Sequence, residues 1–127
     1  MPEQEIFVLI ADFDNISISQ RNKYGWTEID VIHTLRQALD DYQQSRNARE
    51  VAAEILNDFV WSDKQQRVAD FHLWASDLGF VLIHCPPLQN GSGARRDSVD
   101  DHIKDRLEFY HDNFGSKLTI ILETSDG

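Results

Sequence analysis

At 127 residues the chain has the length of one ordinary domain, enough for a single core and not for two. Its composition, 41% hydrophobic and 27% charged, is that of a globular protein, and its apolar runs are too short to cross a bilayer, which argues against a membrane partner. A net charge of −10 opposes non-specific attraction to nucleic acid, so any such role has to be built locally.

The N-terminus carries Glu3 and Glu5 where a signal peptide would have a basic flank, and the expected location is the cytoplasm. Cys85 is the single cysteine, which excludes an intrachain disulfide and a cysteine-based zinc site and suits a reducing compartment. Ile6 to Ala11 is an unbroken apolar run, the pattern of a strand buried on both faces in a parallel sheet. It stops on Asp12, Asp14 and Asn15, where ligands bind in open α/β sheets. The same residues also suit a simple turn, since their side chains bond their own backbone.

Ile16 to Gly25 reads as a polar connection. Its Arg21, Lys23 and Tyr24, with Trp26 beyond, either form an ordinary loop or hold a phosphodiester and stack a base. Thr27 and Asp30 give a capping signal, and Val31, Leu35, Ala38 and Tyr42 continue at helical spacing, predicting an amphipathic helix of about four turns. Arg49 to Val60 fits strand and helix periodicity alike. A strand is chosen because a doubly wound chain needs one there, with Asn57 and Asp58 at its carboxyl end.

Ser62 and Gln65 open the next helix, with Val68, Phe71, Ala75 and Leu78 as its stripe and Gly79 as its stop. Phe80 to Cys85 is a second buried strand, closed by Pro86 and Pro87. Gln89 to Arg96 reads as a flexible basic loop in which Gly91 and Gly93 permit close approach to a phosphate and Arg95 and Arg96 pair with it. Ser98 and Asp101 cap a helix whose face is Val99, Ile103, Leu107, Tyr110 and Phe114, ended by Gly115. That accounts for Asp101 as a capping residue but leaves Asp100 less well explained. Leu118 to Leu122 is a third apolar strand running into Glu123, Ser125 and Asp126. No helix follows to cover it, so the chain reads as one C-terminally truncated domain of a longer protein.

The expected architecture is α/β, a three-layer Rossmann-like parallel sheet with helices on both faces. Asp12 and Asp14, Asp100 and Asp101, and Asp126 then fall at comparable places, and right-handed crossovers can make the first and last strands neighbours. Several carboxylates sharing a crevice need a cation, and all-oxygen ligation suits Mg²⁺ or Mn²⁺.

Asp12-Phe13-Asp14-Asn15 after a strand, Ser98-Val99-Asp100-Asp101-His102-Ile103 at a helix start and Ser125-Asp126-Gly127 after a strand resemble, in that order, the NYN domain of the PIN-like nuclease superfamily. The resemblance implies a metal-dependent ribonuclease acting on RNA, single-stranded by preference. It further implies metal acids at Asp12, Asp100 and Asp126, with Asp101 as partner and Asn15 and Ser125 as accompanying polar residues. Arg95, Arg96 and Lys104 are the expected backbone contacts. The family continues past Ser-Asp-Gly, so a further C-terminal segment is expected; homo-oligomerisation stays open. Two rivals remain. One is a haloacid dehalogenase-type phosphatase with Asp12 as nucleophile, because Asp12-Phe13-Asp14 fits Asp-x-Asp. The other is a non-catalytic RNA-binding or assembly module.

Overall fold

The structure is a computed structural model and describes residues 4–57, 65–85, 88–89, 95–96 and 99–124, the backbone alone for 65–68, 88–89 and 95–96. Asp58, Ser62, Pro86, Pro87, Gly91, Gly93, Ser98, Ser125 and Asp126, invoked above, lie outside the described residues.

The first strand, β1 (Ile6–Asp12), is buried from Phe7 to Asp12, as a run with no polar face must be. It pairs in parallel with β2 (Arg49–Asn57) on one side and with β6 (Leu118–Glu123) on the other, and β2 pairs in parallel with β3 (Val81–His84). The sheet order is therefore β3-β2-β1-β6. Side chains alternate across β1. Phe7, Leu9 and Ala11 enter a core with Phe13, Ile16, Val31, Ile32, Leu39 and Ala75, whereas Val8 and Ile10 enter a second core with Val99, Ile103 and Tyr110. The first core lies under α1 (Phe13–Tyr24), α2 (Glu28–Arg46) and α3 (Gln65–Asp77), and the second under α4 (Val99–Phe114). The molecule is thus the three-layer α/β arrangement expected.

Two readings need correcting. Ile16 to Gly25 is not a polar connection: all but Gly25 belong to α1. This helix buries Phe13 and Ile16, and both its ends are closed locally. Asp12 caps the start, while Gly25 (φ 70) closes the end by donating its N–H to the Arg21 carbonyl. The basic segment read as a loop also carries backbone pairing at its two ends, where Leu88–Gln89 (β4) pairs antiparallel with Arg95–Arg96 (β5).

Two other expectations, for β2 and α2, hold. β2 is a strand because both its faces are covered, Ala53 and Ile55 in one core and Leu56 in the other. α2 begins at Thr27 with a full capping box and runs 19 residues, somewhat longer than four turns. Thr27→Ala is expected to cost about 1 kcal/mol, read as a lower urea midpoint, since it strips the acceptor from the Asp30 N–H.

α4 is fastened to the sheet by a polar contact inside the second core. Glu54, 3% exposed on β2, accepts the Nε and Nη2 N–H groups of Arg106, each at 2.7 Å, and the hydroxyl of Tyr110. Burial, reinforced by the Glu54 carboxylate, pushes the Tyr110 hydroxyl up to about 12. An unfolded tyrosine ionises near pH 10. Between about pH 10 and 12 the unfolded chain therefore gives up this proton while the folded one keeps it, and stability falls across that window. Urea midpoints measured over this range should decline less steeply in Tyr110→Phe.

Candidate functional site

The path of the chain selects one place on the sheet. From β1 it moves through α1 and α2 to β2 and through α3 to β3, with these helices on one face. It then returns through α4, on the other face, to β6 on the opposite side of β1. The direction of winding reverses at β1 and β6, and in open α/β sheets the crevice outside the strands' carboxyl ends at such a reversal is the usual binding place.

Asp12 is the last residue of β1 and stands at that crevice, 2% exposed. Alternation from Val8 and Ile10 turns its side chain to the α4 face. Asn15 fixes the carboxylate: its backbone N–H donates to Oδ1 at 3.3 Å and its side-chain Nδ2 to Oδ2 at 2.9 Å. Each carboxylate oxygen has two lone pairs, so this grip by itself does not exhaust the group.

α4 precedes a strand parallel to β1 and so begins at the carboxyl end of the sheet, where Val99 shares a core with Cys85. Its first turn brings Asp100 and Asp101 to the same end and face as Asp12. Asp100 is exposed and Asp101 half-buried. Lys104, also exposed, follows Asp100 by four residues and lies on the same side of the helix. Glu123 ends β6 but pairs with Ala11, which puts it on the opposite face from Asp12. Asp14 is half-buried in the first turn of α1. Arg95 and Arg96 are placed in β5 by their backbone alone.

The oxygen donors Asp12, Asp100 and Asp101 suit a hard divalent cation in kind. In number they fall short: among the described residues no three His, Cys, Asp or Glu side chains form a group able to hold a metal ion. The triad implied by the resemblance takes its third member, Asp126, from outside those residues.

Asn57, expected at the carboxyl end of β2, ends that strand, is 2% exposed, and its carbonyl accepts the Cys85 N–H at 2.6 Å. Cys85 is buried, as expected for a core thiol. Among the described residues no helix is long and apolar enough to cross a membrane.

No protein-family model and no curated protein matches the chain. Among solved structures, the crystal structure of a protein of unknown function from Vibrio parahaemolyticus matches with a TM-score of 0.67 at 20% identity, covering 99% of this chain and 71% of that one. At that identity the likeness establishes a shared fold alone.

Proposed function

We propose that the chain is an NYN-type, metal-dependent ribonuclease domain that hydrolyses phosphodiester bonds at the crevice between β1 and β6. The observation that carries this reading is the position of Asp12: a buried carboxylate at the end of the central strand, on the face and at the end where α4 begins with two more acids. It stands where ligands bind in this class of sheet. The NYN-like order of the three acidic motifs adds to it.

In this reading Asp12 is the fixed oxygen donor, held in orientation by Asn15. Asp100 and, from outside the described residues, Asp126 complete the set. Mg²⁺ or Mn²⁺, when bound, would offset charge growing on the phosphate and lower the pKa of an attacking water. Lys104, with Arg95 and Arg96, would offset the charge of the neighbouring phosphodiesters, a local cationic contribution within a chain of net charge −10.

The test is cleavage of single-stranded RNA with Mn²⁺ and with EDTA, by the wild type and by Asp100→Asn. Cleavage that needs the metal and is lost in the variant is the expected result; metal-dependent cleavage unchanged in the variant overturns the assignment. A covalent phosphate trapped on Asp12 would instead assign phosphotransferase chemistry, with Asp12 as nucleophile.

A further inference from the structure

The corner between α1 and α2 carries a surface that the acidic crevice does not explain. Tyr24, the last residue of α1, is 65% exposed, one of the most exposed large side chains among the described residues. Its ring stands 5.5 Å from that of Trp26 at an interplanar angle of 35°. Trp26 is half-buried and packs against the first core, so a solvent-facing ring is propped on an anchored one. Arg21 and Lys23 are exposed on the same last turn of α1. Of the neighbouring acids, Asp30 is folded back onto the Thr27 N–H and hydroxyl, and Glu28 is exposed.

The topology places this corner at the same end of the sheet as Asp12. Tyr42 of α2 meets Phe7 of β1 ring to ring at 4.7 Å, and Arg49 at the start of β2 donates its N–H to the Glu5 carbonyl, so α2 ends at the amino edge. From Tyr42 back to Val31 the helix climbs about 16 Å. Along β1 that height corresponds to about five residues, from Phe7 to Asp12. Thr27, Trp26 and Tyr24 stand beyond Val31 and therefore above the carboxyl edge. α1 spans about 18 Å between its Asp12 cap and Tyr24.

We infer that the Tyr24 ring, backed by Trp26 and flanked by Arg21 and Lys23, is a stacking platform for a base of single-stranded RNA whose backbone continues along α1 to the Asp12 crevice. Stacking on an aromatic face is tolerant of sequence and needs an unpaired base, and flanking cations hold the phosphates on either side. A protein of net charge −10 retains a polyanion away from a metal only through such local cations and stacking faces. The inference rests on the ribonuclease reading for its choice of RNA, but it concerns binding and not cleavage.

The experiment is fluorescence anisotropy of a labelled single-stranded oligouridylate and of a duplex control, in EDTA, with the wild type, Tyr24→Ala and Tyr24→Phe. Tyr24→Ala is expected to weaken single-strand binding about tenfold, while Tyr24→Phe, which keeps the ring, binds as the wild type does. Arg21→Gln with Lys23→Gln should flatten the salt dependence, since two phosphate contacts are lost. Thermal midpoints should stay at the wild-type value in all of these variants because the side chains are exposed.

Equal binding by Tyr24→Ala and wild type, no measurable binding by the wild type, or a preference for the duplex would each overturn the inference. The ribonuclease reading fails separately. Binding without cleavage leaves the platform standing and removes the enzyme, whereas metal-dependent cleavage with kcat/KM unchanged in Tyr24→Ala removes the platform and leaves the enzyme.

Discussion

Asp12→Asn should lower metal-dependent RNA cleavage by about a hundredfold or more with little change in stability. The magnitude follows from metal sites in general, where losing even an outer partner of a ligand costs about 10- to 100-fold, and Asp12 is assigned as a ligand itself. Little stability is at stake because Asn caps a helix about as well as Asp does. The amide oxygen of the substituted side chain can still accept the Asn15 N–H that Asp12 Oδ1 accepts at 3.3 Å. The second contact, from Asn15 Nδ2 at 2.9 Å, survives if the Asn15 amide turns to offer its oxygen to the new NH₂. Asp12→Ala is the informative companion, because it removes the cap as well and should cost about 1 kcal/mol of stability. A Mn²⁺ titration of the two variants completes the comparison: both should bind the ion more weakly, and only Asp12→Ala should unfold at lower urea. Wild-type cleavage by Asp12→Asn would remove Asp12 from the chemistry and leave it a capping residue.

How much of this was legible beforehand depended on whether the deciding contacts were local. β1 declared itself, because a strand covered on both faces reads as a near-continuous apolar run, here unbroken from Phe7 to Ala11. α2 declared itself through Thr27 and Asp30, whose reciprocal bonds span three residues. α1 did not. Its apolar contacts are confined to Phe13 and Ile16, and from Ser17 to Tyr24 it has no stripe to read; its closure depends on backbone and cap geometry at Asp12 and Gly25. β2 was ambiguous because Ala53, Ile55 and Leu56 suit either period, and only the two cores show that its alternate residues part to opposite faces.

The candidate site was legible in part for the same reason. Asp12 and the acids of the α4 first turn could be placed at the carboxyl edge from the order of elements, and pairing of β1 with β6 puts the reversal of winding where that reading needed it. The partners of Glu54 were beyond reach, since Arg106 and Tyr110 lie 52 and 56 residues further along the chain. Its charge in the middle of an apolar stretch even favoured a helix by propensity.

Breaking that contact should produce the largest loss of stability, and it should matter which partner is removed. Glu54 is 3% exposed along its side chain and Arg106 30%, so the two charges do not lose equal hydration when left alone. In Glu54→Gln the guanidinium can turn toward water, and the cost is expected to be about 1–3 kcal/mol, that of an impaired charge-assisted hydrogen bond. In Arg106→Met the carboxylate stays in the core with only the Tyr110 hydroxyl as partner, and the cost should be about 3–5 kcal/mol, that of an uncompensated buried charge.

Replacing all three partners, Glu54→Leu with Arg106→Met and Tyr110→Phe, should recover most of the loss, because well-packed apolar groups often match a buried ion pair. Because this contact fastens α4 to β2, it also fixes where Asp100 and Asp101 stand. RNA cleavage should therefore fall in Arg106→Met even at temperatures well below its unfolding midpoint, and return in the triple variant if packing alone holds the helix in register. A triple variant that is stable but inactive would show that the ion pair, and not the packing, sets the position of the acidic turn.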